Sequence, residues 1–217
     1  MHPPPEPAIP DNVVKYGSAD GWLDKFEAAM NASEAGYVAL FFDVHGYDFA
    51  SDLFDLYIGN NGPDFRYVLT DDQVWEILAT NDVGKKIDDG LKYIQDVARK
   101  DPQTGTTREI TTDWMLTFPT DNPDVVDALA HFSIAIGSDT TVTKDGNELL
   151  CEIDYVVYIY DYYNFDQSRH FELDDPIYSF KTNVDADMRQ LEAAGWARSF
   201  RVSGDTSNVP MFWIGSL

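Results

Sequence analysis

The run Tyr155 to Tyr160, reading Tyr-Val-Val-Tyr-Ile-Tyr, constrains the fold more than any other part of the chain. β-branched and aromatic residues at this density suit a pleated surface buried on both sides. Alternation sends Val156, Tyr158 and Tyr160 to one face, Val157 and Ile159 to the other. A hairpin partner is at hand. His131 to Thr143 and Asn147 to Tyr163 flank Lys144-Asp145-Gly146, and Asp-Gly between alternating runs is a strong hairpin signal.

The first half of the chain reads differently. A helix is expected after Ser18, with Trp22, Phe26 and Met30 on one face. Tyr37 to Val44 reads as a buried strand or the start of a buried helix. Phe49, Leu53, Leu56 and Tyr57 give a second helical face. Thr70-Asp71-Asp72-Gln73 is a capping box, and Ile87, Leu91, Ile94 and Val97 form the stripe of a helix over 82–100. Downstream, 107–118 is β-prone and 123–130 holds one or two helical turns. A strand is expected at 176–180, and a helix over 185–194 that stops at Gly195. Two closing strands, 200–202 and 211–214, complete the order. The layout is α+β: a helix-rich N-terminal half, then an antiparallel, half-barrel-like sheet. Its parts are a flexible proline-rich arm over 1–15, a helical part over 16–106, and a sheet part over 107–217 that carries the candidate site. The last two are expected to form one compact unit, which 217 residues allow.

The net charge of −23 argues against nucleic acid, whose phosphates would repel the chain. It argues equally against an anionic membrane surface. Acidity of this size fits solubility, a salty habitat, a basic partner or carboxylate-held divalent cations. Cys151 is the single cysteine; it sits in a strand pattern with no basic neighbour and reads as packing. The N-terminus lacks the cationic start and apolar run of a signal peptide, and the longest apolar run, Tyr37 to Phe42, is too short to span a bilayer. Cytoplasmic synthesis is expected, with release to act on the envelope of other cells as a further possibility.

Beyond Tyr160 the strand breaks into polar chemistry: Asp161, Tyr163, Asn164, Asp166, Ser168, Arg169 and His170 fall in one short span. The pattern Asp161-x-Tyr163-Asn164-Phe165-x-x-Ser168-x-His170 resembles the active-site signature of colicin M-like bacteriocins. In that family it runs Asp-x-Tyr-Asp-Phe, then a polar loop with Ser, then His-Arg. Two positions depart: Asn164 stands for the second Asp and Phe171 for the Arg, while Arg169 lies one residue early. An amide can bind a cation but cannot act as a general base. The stretch Leu191-Glu-Ala-Ala-Gly195-Trp-Ala197-Arg-Ser-Phe200-Arg-Val202-Ser-Gly204 is similar to a C-terminal segment of actinobacterial toxin-like proteins that also read Asp-x-Tyr-Asn-Trp-Asp. Together the two resemblances cover roughly residues 130 to 205.

The colicin M resemblance implies an antibacterial hydrolase. It would cleave the phosphoester between polyprenyl carrier and pyrophosphate in lipid II, a lipid-linked cell-wall precursor, with Mg²⁺ or Ca²⁺. Asp161, Tyr163 and His170 would be catalytic; Asn164, Ser168 and Arg169 would bind substrate; Asp161 and Asp166 would hold the metal. Against it stand a catalytically degenerate toxin-like domain and an acidic immunity- or inhibitor-type protein that pairs with a basic partner. Three other groups weigh less. Asp43, His45 and Asp48 fit a loop in which Asp48 caps the next helix better than a metal site. His131 reads as a core or edge residue. Asp88 and Asp89 read as solvated helix charge.

Overall fold

The computed structural model describes residues 1–62, 64–165, 184–209 and 211–217. Among them the chain forms six helices and a seven-stranded open sheet, with five of the helices ahead of the long strands. The architecture is α+β. Two compact units divide the chain, each drawn from separated segments.

The first unit takes Met1–Ala8, Tyr67–Asp161 and Val202–Leu217. At its centre β4 (Phe132–Asp145) and β5 (Glu148–Tyr163, whose last two residues count with the second unit) pair antiparallel from Ser133↔Tyr160 to Asp145↔Glu148. The hairpin turn is Gly146-Asn147, one residue beyond the Asp-Gly centre expected from sequence. Gly146 takes φ 60 at the first turn position, a conformation that favours glycine there and closes a II′-type hairpin. β2 (Thr107–Thr111) and β3 (Met115–Thr117) pair antiparallel with β4, and β7 (Met211–Ser216) pairs antiparallel with β5. β1 (Arg66–Val68) and β6 (Phe200–Asp205) complete the order β1-β6-β5-β4-β2. Thr206 fills the step between β6 and β7: its N–H donates to the Val157 carbonyl at 3.1 Å, and its hydroxyl accepts from the Val157 N–H at 3.0 Å.

Three helices belong to this unit. α3 (Asp71–Leu78) carries the expected capping box, with Thr70 accepting from the Gln73 N–H at 3.3 Å and Gln73 accepting from the Thr70 N–H at 3.0 Å. α4 (Asn81–Lys100) buries Val83, Ile87, Leu91, Ile94 and Ala98, while Asp88 and Asp89 are exposed. Val97, assigned to the stripe from sequence, is only half-buried. α5 (Pro123–Leu129) starts with Pro at N1 and Asn122 as N-cap. Cys151 is buried at 0 % exposure, and burial pushes its thiol up.

The strand core is covered on both faces, as its composition demands. Val157 and Ile159 are buried on one side; Val156, Tyr158 and Tyr160 are buried on the other. Residues 1–8 lie against that second face. The Trp114 indole N–H donates to the Pro5 carbonyl at 2.8 Å, the Thr111 hydroxyl donates to the His2 carbonyl at 3.3 Å, and His2 Nδ1 lies 2.9 Å from Glu109. A Cβ added at Gly137 would sit 2.9 Å from the His2 carbonyl oxygen and 3.0 Å from the Tyr158 ring. Deleting residues 1–6 is therefore predicted to lower unfolding stability by about 1–3 kcal/mol in urea titration, through exposed tyrosine surface and lost hydrogen bonds. An unchanged midpoint and slope would show that the contacts contribute nothing.

The second unit takes Ile9–Arg66 and Tyr162–Arg201. α1 (Trp22–His45) runs through the whole of Tyr37–Val44, which settles that segment as helix. It ends at Gly46, φ 68, with the Tyr47 N–H donating to the Phe42 carbonyl. The side chains of Trp22, Phe26 and Met30 lie outside the described residues. α2 (Asp48–Ile58) buries Phe49, Ala50, Leu53, Phe54 and Tyr57. Its N-cap is Tyr47, and Asp48 sits in the first turn, where a carboxylate complements the helix dipole without capping. α6 (Val184–Ala193) closes the unit. The strand expected at 176–180 lies outside the described residues.

Candidate functional site

The β4 ladder ends at Tyr160, but β5 continues to Tyr163, so the polar stretch expected from Asp161 onward begins inside the strand. Asp161, in the first unit, is half-buried and lies two residues before the end of β5. Tyr163 and Asn164 follow in the second unit. Tyr163 is 7 % exposed, and its ring belongs to an aromatic cluster. It stacks on Phe200 at 5.0 Å with a 16° interplanar angle and meets Phe165 edge-on at 5.8 Å. Tyr57 lies 6.0 Å from Tyr163 and 4.9 Å from Phe165; Phe54 meets Phe165 edge-on at 6.1 Å. Offset and edge-to-face arrangements of this kind stabilise beyond the area they bury. Asn164 and Phe165 are half-buried, and the Phe165 carbonyl accepts from Arg189 at 3.3 Å. Asp166, Ser168, Arg169 and His170 lie outside the described residues. Of the assigned groups, then, the structure places Asp161, Tyr163 and Asn164.

The remaining metal-capable groups do not converge. Among the described residues no set of three His, Cys, Asp or Glu side chains could hold a metal ion. At 43–48 the Asp43 carboxylate accepts from the Ser51 hydroxyl at 3.2 Å and His45 Nδ1 engages the Phe41 carbonyl at 2.9 Å. His131 stacks on Phe118 at 6.0 Å, an edge role.

One polar site in the second unit escapes the sequence reading. Glu192, 3 % exposed, accepts from the Ser199 N–H at 2.8 Å through Oε1 and from the Ser199 hydroxyl at 2.7 Å through Oε2. The Tyr57 hydroxyl donates to the Met188 carbonyl at 2.9 Å and lies 3.4 Å from Glu192 Oε2. Burial pushes the Glu192 carboxyl above its ordinary value, opposed by the Ser199 hydrogen bonds. Burial, and after it the Glu192 charge, pushes the Tyr57 hydroxyl well up. A signal was present: α6 buries Val184, Asp185, Met188, Leu191 and Glu192, so two acids occupy positions of the helical stripe where an apolar residue is usual.

Within the second unit, residues 191–201 are held by further local bonds. Gly195 takes φ 81 and the Trp196 N–H donates to the Leu191 carbonyl at 2.9 Å, a Schellman closure of α6. The Gly195 carbonyl accepts from Asn60 at 2.8 Å and from the Tyr16 hydroxyl at 3.1 Å, and the Arg198 guanidinium lies 4.1 Å over the Tyr16 ring. Ala197 is fully buried and Phe200 nearly so. In the first unit, Val202 is fully buried and a Cβ at Gly204 would fall 2.8 Å from Leu69 Cβ. Within the motif Leu191, Ala197, Phe200 and Val202 are buried, and Glu192 is bonded to Ser199.

The pH dependence follows from the Glu192 shift. Its folded value lies above the unfolded one, so its contribution is complete below the ordinary 4.5 and is lost as pH rises through the folded value. Glu192→Gln keeps a donor and an acceptor in place and is predicted to remove this decline. Glu192→Ala strands the Ser199 N–H and hydroxyl and is predicted to cost about 1–3 kcal/mol. Thermal unfolding of the three proteins across the acidic-to-neutral range checks both. An E192Q protein whose stability declines with pH as steeply as wild type would refute the assignment.

No known family pattern, curated protein or solved structure matches this chain.

Proposed function

We propose that this chain is an acidic binding protein that recognises a basic protein partner, on a toxin-type scaffold whose colicin M-like signature is catalytically degenerate. One observation carries the reading. Tyr163, which the resemblance assigns to substrate positioning, spends its ring on a buried stack with Phe200, and the next residue is an amide, Asn164, in place of a carboxylate. Packing accounts for the first and removes the need for substrate; the second lacks the basicity that proton transfer requires. The net charge of −23 then supplies the recognition chemistry, since a charge of one sign steers and selects partners of the other.

The half-buried carboxylate of Asp161 near the end of β5 favours a second reading, hydrolysis of lipid II as a colicin M-like antibacterial protein. On that reading Asp161 and Asp166 would hold Mg²⁺ or Ca²⁺, which would bridge carboxylate and pyrophosphate. His170 would carry the proton, and Ser168 and Arg169 would meet the phosphates. No helix among the described residues is long and apolar enough to cross a membrane.

Incubation with lipid II and Mg²⁺ separates the readings. The expected result is no free polyprenol and no soluble pyrophosphorylated product from wild type. Products that vanish in folded Asp161→Ala and His170→Ala variants would establish the enzyme, because each loss should cost about 10²–10⁴ in rate. Activity gained only in Asn164→Asp would identify the degenerate position. A rise in melting temperature with Mg²⁺ beyond that of NaCl at matched ionic strength would likewise favour the second reading.

A further inference from the structure

β7 is an edge of unusual chemistry. Among the described residues its one strand neighbour is β5, paired from Leu150↔Ser216 to Tyr155↔Met211. The next pair along, Leu217 with Leu149, is hydrogen-bonded, the Leu217 N–H donating to the Leu149 carbonyl at 2.9 Å. Antiparallel alternation then turns the backbone groups of residues 211, 213 and 215 towards β5 and those of 212, 214 and 216 away from it. An outward row of donors and acceptors is a template for another strand. Proteins usually blunt such edges with lysine, proline or a bulge. β7 reads Met-Phe-Trp-Ile-Gly-Ser and has neither lysine nor proline.

Its side chains are as open as its backbone. Phe212 is 71 % exposed and Ile214 62 %, two residues apart on one face. Register extends each into a row across the sheet. Phe212 lies opposite Asp154, which lies opposite Asp139 and then Glu109; Ile214 lies opposite Glu152, then Thr141 and Thr107. Both rows lack lysine and arginine. Glu109 and Asp139 have the Met1 amino group at 3.6 and 3.7 Å. Asp154 and Glu152, nearest the edge, are exposed, and no salt bridge among the described residues reaches them.

We infer that the β7 edge takes an added strand from a basic partner: an extended segment alternating lysine or arginine with apolar side chains. The inference rests on the binding reading and gives it a place and a mode. The partner backbone would pair with residues 212, 214 and 216. On the outer face its lysine or arginine stems would cover Phe212 and Ile214, and their charged heads would reach Asp154 and Glu152. On the other face its apolar residues would continue the half-buried row of Met211 and Trp213. A second copy of this chain fits less well, since pairing two β7 edges would set the same carboxylate rows against each other at a charge of −23 per chain.

The probe is a short fluorescent peptide alternating lysine with valine, titrated by anisotropy at about 150 mM salt, where diffuse attraction is screened. Three comparisons accompany it: the same peptide with backbone N-methylation on one edge, Ile214→Lys, and Asp89→Asn as a control of equal charge change on α4. Saturable binding is expected, lost on N-methylation, weakened at least about tenfold by Ile214→Lys and unmoved by Asp89→Asn. Binding that survives N-methylation, or that Ile214→Lys and Asp89→Asn weaken alike, would overturn the edge assignment and leave a diffuse acidic binder. Absence of binding even at low salt would overturn both it and the binding reading. A dimer in sedimentation that Ile214→Lys dissociates would assign the edge to a second copy and overturn the inference.

Discussion

The ladder between β4 and β5 is the constraint on which the first unit depends. It holds thirteen register pairs, and β5 is flanked on its other edge by β6 and β7. From Tyr155 to Tyr160 both faces of β5 carry apolar or aromatic side chains, so both have to be covered. One face meets the buried side chains beneath the sheet; the other is crossed by residues 1–8. The carboxylates of Glu109, Asp139, Asp154 and Glu152 collect on the outer surface because register fixes which residue stands beside which.

The second unit solves a different problem. It contains few strand residues, so its stability rests on side chains that interlock: the rings of Tyr57, Tyr163, Phe165 and Phe200, and the buried bonds of Glu192. That interlocking absorbs Tyr163. A ring stacked on Phe200 and 7 % exposed contributes to stability wherever the chain binds, and a motif that includes it reports packing first and chemistry second. The same holds for the Leu191 to Gly204 segment, where left-handed backbone at Gly195 and contact at Gly204 explain the small residues.

Much of this was legible in the sequence, for identifiable reasons. The capping box at Thr70, the hairpin, the helix before Gly195 and the stripe of α4 are local signals that tertiary structure had no cause to override. Tyr37 to Val44 was ambiguous because eight apolar-rich residues fit either a buried strand or a helix; the Gly46 stop decides it only with coordinates. The turn shifted to Gly146-Asn147 because the strand register, fixed by residues far from the turn, outweighs the Asp-Gly preference. Glu192 was missed because its significance lies in Ser199 and Tyr57, which no sequence spacing connects to it. The β7 edge was read only as a closing strand, since whether a strand has one neighbour or two is a property of the whole sheet.

Residue-resolved amide hydrogen exchange tests the central claim, that the β7 edge, unpaired among the described residues, takes a strand from a basic partner. In the isolated chain the amides of Phe212, Ile214 and Ser216 should exchange quickly, while those of Trp213 and Gly215 are protected by β5. Adding the lysine–valine peptide should slow the first set and leave the second unchanged. Amides at Phe212 and Ile214 that are already protected without partner, or that stay fast when the peptide is bound, would contradict the account.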